Sequence, residues 1–182
     1  MSSSDPQVGS HKLPEGATVL VADDDPVVRR TVRRMLELEQ AVVVEARDGE
    51  HAIRIVDEDE AHLVDTVLTD LEMPVVSGAE LIAVLQECRP DLPVAAMSGW
   101  GGLPPGLATV PLLHKPFAPE DLLGTLVPLV LGAREMRARA RQARGDAAES
   151  RSLAERQLQI ARRQHAACGE LMAVLSRLRQ RM

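Results

Sequence analysis

Five side chains with chemical potential stand where short apolar runs end. Asp23 and Asp24 follow Thr18-Val19-Leu20-Val21-Ala22, Asp70 follows Val64 to Thr69, Ser98 follows Pro93 to Met97, and Lys115 follows Val110 to His114. Three carboxylates brought to one place repel each other unless a cation lies among them. A few carboxylates with room for water suit Mg²⁺, which keeps several waters and sits beside phosphoryl oxygens; Ca²⁺ usually demands more oxygen ligands. Transition metals want His or Cys, and neither is close to these acids in the motif. One carboxylate could then act as a nucleophile toward a phosphoryl group and form an acyl phosphate. Ser98 could donate a hydrogen bond to one equatorial oxygen and Lys115 could pair with another as a compact charge. Asp70 is the carboxylate expected to make the attack. Each residue alone has a plainer reading as a turn or cap; the ordered set is what points to chemistry.

The elements that must position these groups are legible from periodicity. Thr18 to Ala22 is a continuous apolar run of the kind that forms a strand buried on both faces. Asp25 is expected to cap a helix starting at Pro26, with Val28, Val32, Met35 and Leu36 on its inner face. Ala41 to Val44 reads as a second strand, and Asp48-Gly49 opens a second helix with Ala52, Ile53 and Val56 inward. Val64 to Thr69 is the third strand. Ser77-Gly78-Ala79-Glu80 fits a capping box before the stripe Leu81, Ile82, Leu85. Pro93 to Met97 and Val110 to His114 are the last strands, and Pro119-Glu120-Asp121 starts a helix with Leu122, Leu123, Leu126 and Val130 inward. Strand and helix alternate, which predicts an α/β fold with a five-stranded parallel, doubly wound sheet whose strand ends open on one crevice. Between Ser98 and Val110 three glycines and two adjacent prolines oppose a helix, so the fourth helix is expected to be shortened to a turn or lost.

Composition narrows the function classes. With one Phe, one Trp and no Tyr, aliphatic side chains must fill the core, and stacking on nucleic-acid bases is disfavoured. No apolar run reaches the length of a spanning helix and no signal pattern opens the chain, so a cytoplasmic protein without a membrane span is expected. Cys88 and Cys168 fall in separate helices without metal-ligand spacing and read as reduced, semi-buried thiols. The net charge of -6 divides unevenly: residues 1 to 131 carry 9 Lys and Arg against 22 acids, whereas residues 132 to 182 carry 12 Arg against 5 acids.

Val-Leu-Val-Ala-Asp23-Asp24-Asp25-Pro26, Asp70-Leu-Glu-Met-Pro74-Val-Val-Ser-Gly78, Met-Ser98-Gly and Lys115-Pro116-Phe117 together resemble the receiver domain of two-component response regulators, over roughly residues 17 to 131. The resemblance implies a flavodoxin-like fold and a partner that carries phosphohistidine, either a sensor histidine kinase or a phosphotransfer protein. It implies that Asp70 is the phosphoacceptor, that Asp23, Asp24 and Asp70 hold Mg²⁺ with the main-chain carbonyl of Glu72, that Ser98 is the switch hydroxyl, and that Lys115 pairs with the phosphoryl group. Such a domain catalyses only its own phosphorylation and dephosphorylation, so no enzyme in the ordinary sense is expected. A cis Lys115-Pro116 bond is implied too, and Glu72 and Trp100 take positions that flank the path of the hydrolytic water. The chain departs from the family at Leu112, usually aromatic, and in the abbreviated fourth helix; the Met-Ser98-Gly-Trp100 stretch and the shortened segment resemble receivers of hybrid sensor kinases.

Residues 1 to 16 read as a disordered arm, and residues 132 to 182 as a basic amphipathic extension, one long helix or a hairpin kinked at Pro128 and restarted near Gly145. Ala133, Ala140, Ala147, Ala154, Ala161, Cys168, Leu175 and Met182 recur every seven residues, with Met136, Ala143, Leu171 and Leu178 between them. Further apolar positions at Leu158, Ile160, Met172 and Val174 widen that face and suggest a homodimer. Arg137, Arg144 and Arg151 form a column read as a solvated coiled-coil face, with an acidic partner, the receiver's own surface included, or nucleic acid as the lesser reading. His165 is read as an ordinary exposed histidine. The signal is thus expected to leave through a dimerising C-terminal helix. Two alternatives are a regulatory fragment of a longer signalling enzyme and a DNA- or membrane-binding module using the Arg-rich helix.

Overall fold

The computed structural model describes residues 12–179, with side chains described at 12–153, 155–157 and 159. The elements run β1 (Thr18–Ala22), α1 (Pro26–Leu38), β2 (Val42–Ala46), α2 (Gly49–Glu58), β3 (Thr66–Asp70), α3 (Gly78–Cys88), β4 (Val94–Ser98), β5 (Leu112–His114) and α4 (Pro119–Arg179). All strand pairs are parallel, in the order β2-β1-β3-β4-β5. This is the doubly wound sheet expected. No helix lies between β4 and β5, as the glycines and prolines there required.

Alternation along the buried strands divides the core in two. Val19, Val21, Leu68, Ala95, Met97 and Leu113 face α1 and α4, where Val32, Leu36, Leu122, Leu126 and Val130 complete one layer. Leu20, Ala22, Val67, Val94 and Ala96 face α2 and α3 with Ala52, Val56, Leu81, Ile82 and Leu85. Local chemistry starts the helices where expected. The Asp25 side chain accepts from the Val27 amide with Pro26 in the first turn, Asp48 accepts from His51, and Ser77 and Glu80 form the full capping box.

Several expectations are corrected. β2 starts one residue later than expected and ends two later, at Ala46, and as an edge strand it leaves Val42 54% exposed. β5 has only three residues. The arm expected to run to Gly16 ends sooner: Leu13 is buried in the core, while residues 1–11 lie outside the described residues. Cys88 is exposed rather than semi-buried; the Cys168 side chain lies outside the described residues.

The chain divides into two compact units, Met1–Arg137 and Ala138–Met182. The first therefore extends six residues past Leu131, because Ala133 is buried and Arg134 and Arg137 are bonded to the body. α4 is assigned as a single helix through Pro128 and Gly145, so the hairpin is not formed. Ala133, the first heptad position, is thereby used inside the first unit. In the second unit Ala140, Ala143 and Ala147 are exposed. The remaining seam positions, Ala154, Leu158, Ile160, Ala161, Cys168, Leu171, Met172, Val174, Leu175, Leu178 and Met182, and His165, fall outside the described side chains. Among the described residues no helix is long and apolar enough to cross a membrane.

Candidate functional site

Strand register brings the separated groups together. Ala22 pairs with Thr69, so Asp23 and Asp70 are the next residues on neighbouring strands. Asp70 pairs with Met97 and Ser98 with His114, which carries Ser98 and Lys115 to the same edge of the sheet. This edge holds the point where the strand order reverses at β1 and β3, the usual place for a ligand in such a sheet. Carboxylate oxygens of Asp23, Asp24 and Asp70 lie within 4.8 Å of one another. Asp23 is 1% exposed and Asp70 8%, whereas Asp24 is exposed, so the cluster has a closed side and an open one.

Lys115 bridges the two buried acids. Its Nζ lies 2.6 Å from Asp23 Oδ2 and 3.0 Å from Asp70 Oδ1. The other Asp23 oxygen accepts from the Asp25 amide at 2.8 Å, and Arg29 Nη1 donates to the Asp23 main-chain oxygen at 2.6 Å. Asp23 and Asp24 have no evident structural task in the sequence; in the structure Asp23 also anchors the start of α1. Burial pushes the Asp70 carboxyl above its ordinary value, against the lowering effect of Lys115, with the neighbouring charge of Asp23 adding to the rise. Burial alone would lower the Lys115 pKa, but hydrogen bonds to Asp23 and Asp70 outweigh it, and the ammonium is held above its usual range.

The loop after Asp70 is drawn tightly back on the strand. The Leu71 amide donates to Met97 O at 3.0 Å and the Gly78 amide to Leu71 O at 3.1 Å. A Cβ on Gly78 would overlap the main-chain oxygen of Asp70, so only glycine permits this approach. Glu72 lies in the loop with an exposed side chain. In the sequence Gly78 belongs to a capping box and to the motif that begins at Asp70, but its close approach to the Asp70 main chain has no local signal.

Ser98 is at the expected edge, yet its hydroxyl is engaged within its own loop, donating to Trp100 O at 2.7 Å and accepting from the Trp100 amide at 3.3 Å. The exposed Trp100 ring borders a cleft of about 400 Å³ that also takes in Val27, Met35, Lys115 and Phe117. The Lys115-Pro116 bond is cis.

The donor set fits magnesium. All three side chains offer hard carboxylate oxygens, and the exposed Asp24 leaves a side on which an ion keeps its waters. The described side chains in this cluster include no His or Cys, the ligands a transition metal would favour.

The sheet order, the acids at its mouth and the bridging lysine define a receiver. The family model for the response regulator receiver domain matches residues 19–126, and the chain belongs to that family. It is 32% identical over 117 residues to the response regulator MprA of Mycolicibacterium vanbaalenii, covering 62% of this chain and 49% of that protein. It is 33% identical over 88 residues to the autoinducer 1 sensor kinase/phosphatase LuxN of Vibrio harveyi, covering 48% of this chain and 10% of that protein. The chain thus spans about half, or much less, of the length of these curated relatives. Among solved structures, the chemotaxis protein CheY4 of Vibrio cholerae is 26% identical with a TM-score of 0.56, covering 63% of this chain and 98% of that one. A response regulator receiver protein of Sinorhizobium medicae is 25% identical with a TM-score of 0.59, covering 65% and 98%.

Proposed function

We propose that this chain accepts a phosphoryl group on Asp70 from the phosphohistidine of a sensor histidine kinase or phosphotransfer protein. An Asp70 carboxylate oxygen bonds to phosphorus as the donor's nitrogen–phosphorus bond breaks, and that electron pair stays on the imidazole. Asp23, Asp24, Asp70 and the Glu72 carbonyl would hold Mg²⁺, which would supply charge neutralisation to the acids and the phosphoryl oxygens. Lys115, already within hydrogen-bond reach of Asp70, keeps its proton and pairs its ammonium with a phosphoryl oxygen. Ser98 exchanges its bond to Trp100 O for another of those oxygens, which loosens the loop after β4. The shift is passed on through a C-terminal helix that dimerises, in a cytoplasmic protein.

The observation that carries this reading is Lys115 Nζ bridging Asp23 and Asp70 beside Asp24. Incubation with acetyl phosphate and Mg²⁺ followed by intact mass tests it: wild type gains one phosphoryl group and Asp70→Asn none. Equal labelling of both proteins, or of neither, defeats the assignment.

A further inference from the structure

At the end of the sheet opposite the acids, a single buried carboxylate gathers three parts of the chain. Asp65 is 3% exposed and stands immediately before β3, the strand that carries Asp70 at its other end. Its Oδ2 accepts from the amide of Thr18, the first residue of β1, at 3.1 Å, and from Arg134 Nε at 3.1 Å and Nη2 at 2.8 Å. Its Oδ1 accepts from Arg137 Nη1 at 3.1 Å. Arg134 and Arg137 are three residues apart, hence on one face of α4. Arg137, expected on a solvated face, is in fact only 16% exposed in its side chain.

Both guanidinium groups reach on to the main chain. Arg134 donates to Glu15 O at 3.1 Å and Gly16 O at 2.9 Å, just before β1. Arg137 donates to His62 O at 3.0 Å and Val64 O at 2.9 Å, just before β3. The receiving loop is built for this. Asp59 accepts from the amides of Leu63 and Val64 at 2.8 and 3.0 Å, His62 Nδ1 lies 3.2 Å from Asp91 Oδ2, and His62 takes the left-handed φ of 53° that few non-glycine residues adopt. A buried carboxylate needs charged partners, and here both come from α4. Without that helix through Arg137, Asp65 keeps only the Thr18 amide among these partners.

Strands β1 and β3 have five residues each, so the clamp and the acids lie about 17 Å apart along the same two strands. We propose that Asp65, Arg134 and Arg137 form a conformational joint that fixes the root of the C-terminal helix to the starts of β1 and β3, while taking no part in phosphoryl chemistry at their other ends. Asp65 is a positioning residue: strand displacements at the acidic end reach the helix through it. The second half of that statement rests on the phosphoryl reading above; the first stands without it.

Hydrogen exchange on the full chain tests both halves, in wild type, Asp65→Asn, Arg134→Ala/Arg137→Ala and the control Arg141→Ala. Without phosphodonor, exchange across residues 131–140 rises by at least about tenfold in the two joint variants, the change that about 1.4 kcal/mol of lost local stability gives, and stays at the wild-type rate in the control. With acetyl phosphate and Mg²⁺, labelling by intact mass matches wild type in every variant, but the label-dependent change of exchange in that segment is lost from the joint variants. Exchange within twofold of wild type in the joint variants overturns the proposal, as does a loss of labelling in parallel with the loosened helix, which would make Asp65 part of the site. Failure of wild type itself to label defeats the phosphoryl reading and leaves the first arm decisive. If Asp65→Asn does not fold by circular dichroism, the double arginine variant decides alone.

Discussion

Replacing Gly78 with Ala adds a methyl group against the one stretch of backbone that carries Asp70. An ideal Cβ there overlaps the Asp70 main-chain oxygen and lies 2.8 Å from its carbonyl carbon and 2.9 Å from Leu71 Cα. All three are main-chain atoms, so no rotamer change relieves the clash. The end of β3 or the start of α3 must move by about 1 Å, and overpacking of this kind costs roughly 1–3 kcal/mol. Ala for Gly in a helix returns about 0.5–1 kcal/mol, leaving an expected net loss of roughly 0–2.5 kcal/mol. A displacement of about 1 Å at the reacting carboxylate should slow phosphoryl acceptance by about 100-fold. Gly132, inside α4 with nothing within 4 Å of its Cβ position, is the control: the same substitution there should stabilise by about 0.5–1 kcal/mol. Urea unfolding reads the stability change as a shifted midpoint, and the time course of acetyl phosphate labelling reads the chemistry. A Gly78→Ala protein with wild-type midpoint and labelling rate would refute the claim that this close approach sets the position of Asp70.

Other consequences can be checked with the same assays. Lys115→Met strands two acids, Asp23 at 1% exposure among them, and should cost about 2–3 kcal/mol, below the range for fully buried pairs because Lys115 itself is 21% exposed; an unchanged urea midpoint contradicts this. Because the Asp70 pKa is raised from 3.8, the folded state binds that proton more tightly, and its contribution to stability is lost as pH rises from 3.8 through the raised value. Asp70→Asn should therefore exceed wild type in thermal midpoint at pH 7 and converge with it below pH 3.8; a lower midpoint at pH 7 would count against the desolvation argument. Lys115 acts with the same pH sense in a higher window, its contribution being complete below pH 10.5 and lost as pH rises through the folded value, so Lys115→Met and wild type should converge at alkaline pH. Ser98→Ala removes both bonds to the Trp100 main chain, worth about 1 kcal/mol each at most, and should shift the emission of the single Trp. Chelation of divalent ions should abolish labelling while leaving the circular dichroism spectrum intact.

Much of this receiver was legible in its residues because the relevant physics is local. Asp25-Pro26, Asp48 and Ser77-Gly-Ala-Glu80 start helices through bonds spanning two or three residues, and those starts agree with the structure. Alternating strand and helix periods imply a parallel sheet, and the handedness of its crossovers brings the strand ends to one crevice. That alone predicts Asp23, Asp24, Asp70 and Lys115 at one place, and they are together.

What the residues left open depends on partners far away in the chain. Nothing near Asp65 announces that it will be buried, since its ligands are 47, 69 and 72 positions distant. For the same reason Arg137 read as a surface charge, and Leu13 as part of an arm. The Ser98 hydroxyl is satisfied by its own loop, a choice made by a turn geometry that an irregular Gly-Trp-Gly-Gly stretch does not encode. Sequence by itself determined the elements, their caps and the order in which acids, hydroxyl and lysine meet, because each follows from neighbours or from strand handedness. Tertiary structure alone decided how closely Gly78 approaches Asp70, which acid Lys115 holds most tightly, and where the last helix ceases to belong to the receiver, because those outcomes are set by packing between segments that no local pattern relates.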